Sequence, residues 1–402
     1  MNNSGNRIKR NRQILCKAEL SLGIQIIRRA VWVVLLLVSA IGFGQSRNSS
    51  FDLLYHQMEQ KNFFKVREIF AGAKENLSKD YRYFTEAVLY NAFNKPEGSN
   101  RIIMQLQASK NKLPDSLMLK IWRLKEDNCM KQYDYAGAKK AIETALAQYN
   151  HLLKDEEKAD FKNNLKIWTA LENQPRQQVK LIGPTRLKMN IIPAGIDVDA
   201  IIGASVKADL AVCKKLTFGN VIVENAIFLV FADEALSFPQ MNYQINGILG
   251  FPVIEALKEI QLTQDDYFMV PDKETKIKAP SNMAIDGLSP LIFIDGQHFT
   301  FDTGADHTML YEPFYRENKK DIDQQYHLVK IGMGGAGGKT EHDGFKVNHT
   351  FHILGKEVSL KEVNLLKNKI NKETVYGNIG QDVIRQFSKM TLNFDQMFIK
   401  FD

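Results

Sequence analysis

The hydrophobic pattern changes its period once along the chain, and that change divides the chain in two. Between residues 51 and 174 apolar residues recur every three and four positions, as in Tyr135, Ala138, Ala141, Ile142, Ala145 and Leu146. This spacing lines one face of a helix and predicts a helical region. Breaks are expected near Gly72, Asn94-Lys95-Pro96, Pro114-Asp115 and Asn150, and Gln174-Pro175 ends the series. From Val179 onward short β-branched runs alternate with Gly, Asn, Asp and Pro, which predicts strands. Examples are Asn220–Phe231, Ser289–Gly304, Phe345–Leu354 and Lys389–Asp402, with Asp295-Gly296 as a hairpin turn.

Ahead of both regions lies a basic leader ending in Arg28-Arg29, then an uncharged run from Ala30 to Gly44. Fifteen residues fall short of the roughly 20 needed to span a bilayer. With small residues before Gln45-Ser46, the segment 1–45 reads as a secretory signal peptide, or alternatively as an uncleaved, tilted anchor. Either reading predicts export to the periplasm, cell envelope or medium.

Charge adds to this picture only once it is located. The formal net charge is +7, and residues 1–50 carry all of it, with eight Lys/Arg against one acid. The remaining residues balance at 45 basic and 45 acidic, so the folded part has no electrostatic reason to bind nucleic acid. Of the three cysteines, Cys16 lies in the leader. Cys129 and Cys213 show no metal or disulfide spacing and are expected to be buried thiols.

The strand region repeats itself. Residues around Gly219 parallel those around Gly355, an offset of 355 − 219 = 136, and Ile245–Leu257 around Gly250 parallels Tyr376–Phe387 around Gly380, an offset of 380 − 250 = 130. A first unit at 179–270, a polar linker at 271–286 and a second unit at 287–402 follow. The second unit carries Phe301-Asp302-Thr303-Gly304-Ala305 directly after an apolar strand, a tight turn that presents a carboxylate.

These features resemble the aspartic proteases of the pepsin and retropepsin type. The resemblance covers about 180–402. It rests on the Asp-Thr-Gly turn, on Ile248-Leu249-Gly250 and Asn378-Ile379-Gly380, and on the duplication. More narrowly, the chain looks like bacterial exported members with a helical N-terminal extension. Within that extension Asp134–Leu146 resembles one helix of a tetratricopeptide-type repeat, but no period of roughly 34 residues recurs, so an irregular helical-hairpin array is expected. The fold class is therefore α+β: a helical-hairpin domain at 51–174, then a two-lobed acid-protease-like region.

The resemblance implies Asp302 as a catalytic carboxylate, Thr303 as its cross-axis support and Gly304 as the residue that lets the turn pack closely. It implies peptide or protein substrates, with no metal or cofactor. The first lobe, however, lacks its own Asp-Thr-Gly. Subtracting the offsets from 302 lands on Lys166–Glu172, which reads as helix. From Ser289 to Gly380 is 91 residues, but from Val179 to Gly250 is only 71, so about 20 residues are missing between Pro175 and Leu187. Asp197 and Asp199 are weighed as substitutes; neither is followed by the required glycine, and their place matches a flap hairpin. Three outcomes stay open: an inactive product of deletion, a homodimer that pairs two copies of Asp302, or an exported peptide-binding module that keeps the cleft.

Two other motifs are decoys. Ile331–Thr340 imitates nucleotide-binding glycine loops, but an alternating strand follows where a helix is needed, so a glycine hairpin is predicted. Six of the eight histidines fall between His298 and His352. His349 and His352 sit on opposite faces of a predicted strand and cannot share a metal. His307, close after Asp302, is expected at the surface.

Overall fold

A computed structural model of the chain describes residues 50–402 except 110–112, 189–195, 205–208, 233, 235–236, 239–242, 245–246, 279, 336–337, 354 and 371–372. The leader and its apolar run at 30–44 therefore lie outside the described residues. Among the described residues no helix is long and apolar enough to cross a membrane.

The fold is α+β, a helical N-terminal region followed by a sheet-rich one. The helices are α1 (residues 50–59), α2 (Phe63–Ala73), α3 (Lys79–Ala92), α4 (Pro96–Gln107), α5 (Asp115–Lys131), α6 (Tyr135–Tyr149) and α7 (Asp155–Leu171). Local chemistry sets their starts. Asn62, Ser78 and Asp134 cap α2, α3 and α6 by accepting from the amides of Lys65, Tyr81 and Gly137, and Pro96 opens α4 at the position where its missing N–H costs nothing. Lys166–Leu171 lies inside α7, so the stretch where the repeat offset would put a second aspartate turn is helix. The apolar faces close on two cores. One joins Leu54, Phe84, Ile103 and Ile121; the other joins Ala138, Ile142, Phe161 and Trp168.

The sheet region opens with β1 (Gln178–Leu181), β2 (Thr185–Lys188), β3 (Ile196–Ala204), β4 (Asp209–Phe218), β5 (Val221–Val230), the short pair β6 (Ser237–Phe238) and β7 (Tyr243–Gln244), α8 (Phe251–Ala256), β8 (Glu259–Thr263) and β9 (Tyr267–Val270). It continues with β10 (Met283–Asp286), β11 (Ser289–Ile294), β12 (Gln297–Phe301), β13 (Met309–Leu310), α9 (Glu312–Gln325), β14 (Val329–Gly335), β15 (Gly338–Ile353), β16 (Lys356–Leu366), β17 (Gly377–Ile379), α10 (Gln381–Ile384), β18 (Lys389–Asn393) and β19 (Phe398–Phe401). The larger sheets run β1-β5-β4-β3, β10-β11-β12-β17-β13-β16-β15-β14 and β19-β18-β8-β9-β2. Asp295 and Gly296 both hold positive φ, 51° and 82°, which joins β11 to β12 through a two-residue turn whose twist suits the strands.

One boundary changes. Residues 283–286, grouped with the linker on sequence, form β10, which pairs with β11 at the edge of the eight-stranded sheet. The polar, proline-bounded composition hid the strand because only the four residues Met283–Asp286 carry it, and Met283, Ala284 and Ile285 are fully buried.

The five-stranded sheet is built about its centre. β8 and β18 pair antiparallel, and Gln261 lies opposite Thr391, 391 − 261 = 130 residues on. That separation equals the second repeat offset. Around that centre Glu259 lies opposite Asn393 and Thr263 opposite Lys389.

The helical region docks on the outer sheet. Phe63, Phe64 and Ala92 form one buried cluster with Ala284, Leu291 and Val375, and the Phe64 ring stacks on Phe293 at 4.8 Å. Burying such a side chain is worth about 1.5–3 kcal/mol. Polar contacts fix the orientation. The Gln60 carbonyl accepts from His298 Nε2 at 2.7 Å and from the Thr374 hydroxyl at 3.1 Å, and Lys61 pairs with Asp286 at 2.9 Å. On the other side Tyr133 donates to the Pro252 carbonyl at 2.7 Å and the Asn94 amide donates to Glu255 at 2.8 Å.

His298 makes this docking sensitive to pH. It is buried, its Nδ1 has no partner, and burial lowers its pKa below the usual 6.5. The unfolded chain therefore binds a proton first as pH falls, so this contribution is complete above about pH 6.5 and shrinks below it. The melting temperature should drop between pH 7 and pH 5, and the drop should be smaller in His298→Gln, as read by thermal denaturation monitored at both pH values. An equal drop in the two proteins contradicts the assignment.

Candidate functional site

Asp302 stands where β12 ends, and a crossing of three short strands holds it there. β13 follows β12 in sequence, yet the two are not neighbours: β17 runs between them, parallel to β12 and antiparallel to β13. Such threading needs very close backbones. A Cβ on Gly380 would lie 2.7 Å from the carbonyl carbon of His307 and 2.8 Å from the Ala305 oxygen. A Cβ on Gly377 would press on the Met309 oxygen and lie 3.1 Å from Leu310 Cα. Glycine is required at both positions by contact, since Gly380 has φ −115° and could otherwise take any side chain.

Hydrogen bonds then fix the turn. The Asp302 amide donates to the Ile379 carbonyl at 3.1 Å, and Ala305 N closes the turn on the Asp302 carbonyl at 3.3 Å. The Gly304 amide donates to Asp302 Oδ1 at 2.8 Å, which orients the carboxylate. Gln381 clamps the far side, its amide nitrogen on the Ala305 carbonyl at 2.9 Å and its side chain on the Thr303 carbonyl at 2.6 Å. Asp382 accepts from the Thr308 amide at 2.9 Å and the Thr308 hydroxyl at 2.6 Å, while that hydroxyl accepts from Gly380 N at 3.1 Å. Thr308 is buried, so these bonds are shielded from water.

The carboxylate of Asp302 is exposed, with no second carboxylate hydrogen-bonded to it among the described residues. The Thr303 hydroxyl likewise has no hydrogen-bond partner among them. His307 is exposed and lies 3.4 Å from Asp306, whose carboxylate also faces Arg385 at 3.8 Å. Tyr311, just past β13, has its phenol pushed up to about 12, mainly by burial and then by the charges of Glu373 and Asp302. A cavity beside it is lined by Lys61, Tyr311, Glu312, Met333, Leu366 and Glu373. Lys61 comes from the helical region, so that region walls part of the cavity beside Tyr311.

The other sequence candidates fall elsewhere. Asp197 and Asp199 belong to β3, whose backbone pairs with β4, and their side chains lie outside the described residues. The 331–340 glycine run is a hairpin between β14 and β15, with Gly335 opposite Gly338 and no helix after it. His349 packs edge-on against Phe314 and Phe351, while His352 faces Asp295 at 3.3 Å on the other side of the strand. Cys129 and Cys213 are both buried and not in a disulfide, and burial pushes the Cys129 thiol up to about 11. Among the described residues no group of three His, Cys, Asp or Glu could hold a metal ion.

Reading the sequence alone missed Asp382, Gln381, Thr308 and Lys61. The first two were within reach, since a Gly element followed by Gln381-Asp382 offers a helix cap and a side-chain clamp; Lys61 is not, because its place depends on how the helices dock.

The two repeats differ in what their glycines touch. Gly250, the equivalent of Gly380, would bring a Cβ no nearer than 3.7 Å to Pro252 Cδ, and a Cβ on Gly247, the equivalent of Gly377, would meet nothing within 4 Å. Gly380→Ala should cost about 1–3 kcal/mol because backbone must move. Gly250→Ala, at φ −78° and ψ 165°, should leave stability unchanged or raise it by about 0.4–1 kcal/mol by restricting the unfolded chain. Chemical denaturation of the two variants checks this; equal losses would refute the contrast.

Comparison of the chain with protein-family models, with curated proteins and with solved structures finds no match.

Proposed function

We propose that the chain is an aspartic-type peptidase scaffold, in which Asp302 is one of the two carboxylates that activate water for peptide-bond hydrolysis. The observation that carries this reading is the Asp302-Thr303-Gly304 turn locked by β17 between β12 and β13. The 130-residue pairing of β8 with β18 supports a two-lobed duplication of the acid-protease type. So do the matching hairpins, β4–β5 turning at Gly219 with φ 54° and β15–β16 turning at Gly355 with φ 82°. In this reading the β14–β15 hairpin is the flap of the second lobe. The helical array, a run of α-hairpins of the tetratricopeptide kind, is an N-terminal extension that braces it.

The chemistry needs two carboxyl groups. One, ionised, takes a proton from water as the hydroxide adds to the peptide carbonyl carbon. The other, protonated, donates to the carbonyl oxygen. Collapse of the tetrahedral adduct breaks the C–N bond, with a proton passing to the leaving nitrogen. A lone carboxylate cannot be base and acid in the same step, so Asp302 alone makes a slow catalyst. The homodimer that would pair two copies of Asp302 meets a steric objection: in the single-lobe arrangement the partner sits where β8 of the same chain already pairs with β18, and β9 with β8.

A second reading is a non-hydrolytic binding protein for extended polypeptides, exported by the leader. It is favoured by one observation, the exposure of Asp302 with no partner carboxylate among the described residues. The two readings separate in one assay. The purified chain is incubated with an unfolded protein between pH 3 and pH 7, beside its Asp302→Asn variant. Slow cleavage that disappears in the variant is expected for the peptidase; binding without cleavage, equal in both proteins, favours the second reading. Cleavage that survives in Asp302→Asn would falsify the role given to Asp302.

A further inference from the structure

The second repeat shows what the first one is lacking. In the second, β13 lies between β16 and β17, with Leu310 beside Leu365 on one side and Gly377 on the other. Under it Leu365 and Leu366 are 0% and 1% exposed. The repeat offsets map these positions to Leu229 and Val230 on β5, which are 54% and 40% exposed, and map Asn378 to Ile248, which is 70% exposed. β1 pairs with β5 only over Val221–Glu224; Asn225 still donates to the Arg176 carbonyl at 3.4 Å and Ile227 packs on the core of Trp168 and Leu171, but among the described residues no strand pairs with the Leu229-Val230 end of that edge. Gly247 and Gly250 complete the outline, keeping the absence of side chain that Gly377 and Gly380 need although nothing presses on them.

We infer that the first repeat carries an open strand slot, bounded by Leu229-Val230 and Gly247–Gly250. It accepts an extended segment of another polypeptide: a carboxylate-bearing Asp-Thr/Ser-Gly turn followed by two apolar residues. The occupant is specified by the seated counterpart, residues 301–310. Its turn would cross Gly250 as His307 and Ala305 cross Gly380, and its strand would add to the free edge of β5 through backbone hydrogen bonds. The apolar pair would cover Leu229 and Ile248. The 402 residues contain no second Asp-Thr-Gly or Asp-Ser-Gly, and residues 1–49 contain no aspartate at all, so these residues do not supply the turn themselves. The inference rests on the two-lobed reading above. It adds the place from which a second carboxylate reaches Asp302.

The test uses the chain itself as template. A synthetic peptide spanning residues 297–311 is titrated into the intact protein, and binding is followed by fluorescence anisotropy of a label on the peptide. Saturable binding with a Kd of about 10–100 μM, or −5 to −7 kcal/mol, is expected. Gly250→Val, which fills the slot without touching the seated turn at Asp302, should weaken it at least tenfold while the circular dichroism spectrum stays unchanged. Leu229→Asp should do the same. Absence of saturable binding, or equal binding by Gly250→Val, overturns the slot. Cleavage of an unfolded protein is measured in the same samples. Stimulation by the peptide, lost when its aspartate is replaced by asparagine, supports both slot and peptidase. Specific binding without stimulation keeps the slot and counts against hydrolysis.

Discussion

The contact on which the rest of this structure depends is backbone against backbone: residues 377–380 lying on residues 305–310 with no side chain between them. That contact lets β17 pass between β12 and β13. It fixes the end of β12, and so the place where Asp302 leaves the sheet. Two glycines make it possible, and Asp382 secures it by gathering the Thr308 amide and hydroxyl onto one carboxylate. A charged acceptor in this position is stronger than a neutral one and is held by the α10 amide of Val383 as well. Order in the turn therefore comes from residues outside it, Thr308, Gln381 and Asp382.

On the two-lobed reading, the same physics explains why the two halves differ. A four-stranded sheet in the first repeat keeps its hairpins but, among the described residues, has no counterparts of β10, β11 and β12. Without them nothing equivalent covers α8 and the Gly247–Gly250 element. The helical region takes over part of that work, since Tyr133 donates to the Pro252 carbonyl and Asn94 reaches Glu255, and Gln177, just before β1, donates to the same carbonyl. It also covers the outer face of β10 and β11 through Phe63 and Phe64. The helices thus act as a brace, joined to both strand segments by apolar packing, through Ile227 on one side and Leu291 on the other, and by hydrogen bonds.

Much of this was legible in the sequence where local chemistry decides it. The change of period at Pro175, the Asp295-Gly296 turn and the glycine hairpin at 331–340 all follow from short-range rules, and the structure shows each of them. The 130-residue offset was visible as Gly250 against Gly380, and it reappears as the register of β8 on β18. What could not be read was anything set by packing between distant segments. β10 looked like linker because its burial comes from α3 and β11 rather than from its own pattern. Nothing local set His298 apart among the six histidines at 298–352, yet it is the donor that ties Gln60 to the sheet. The place of Lys61 in the wall of the cavity beside Tyr311 could not be read for the same reason.

On the two-lobed reading, the shortening of the first repeat by about 20 residues falls on the part that carries chemistry and spares the part that carries stability. β8 and β9 remain paired with β18 and with β2, so the central sheet has five strands and no gap. Val253, Leu257, Ile260 and Leu262 still share one core with Ile379, Val383 and Met390. A deletion through that sheet would have removed the support of the second repeat too, because the two repeats share the core. A deletion of an outer hairpin and the strand before the aspartate turn exposes only a short edge and a few apolar side chains. A single exposed edge is tolerable when it is short, and this one begins only past Asn225, which still donates to the Arg176 carbonyl after the pairing with β1 has ended. The protein can thus keep its fold without the outer strands of the first repeat, which is why a well-formed turn at Asp302 is compatible with a first half that holds no matching turn.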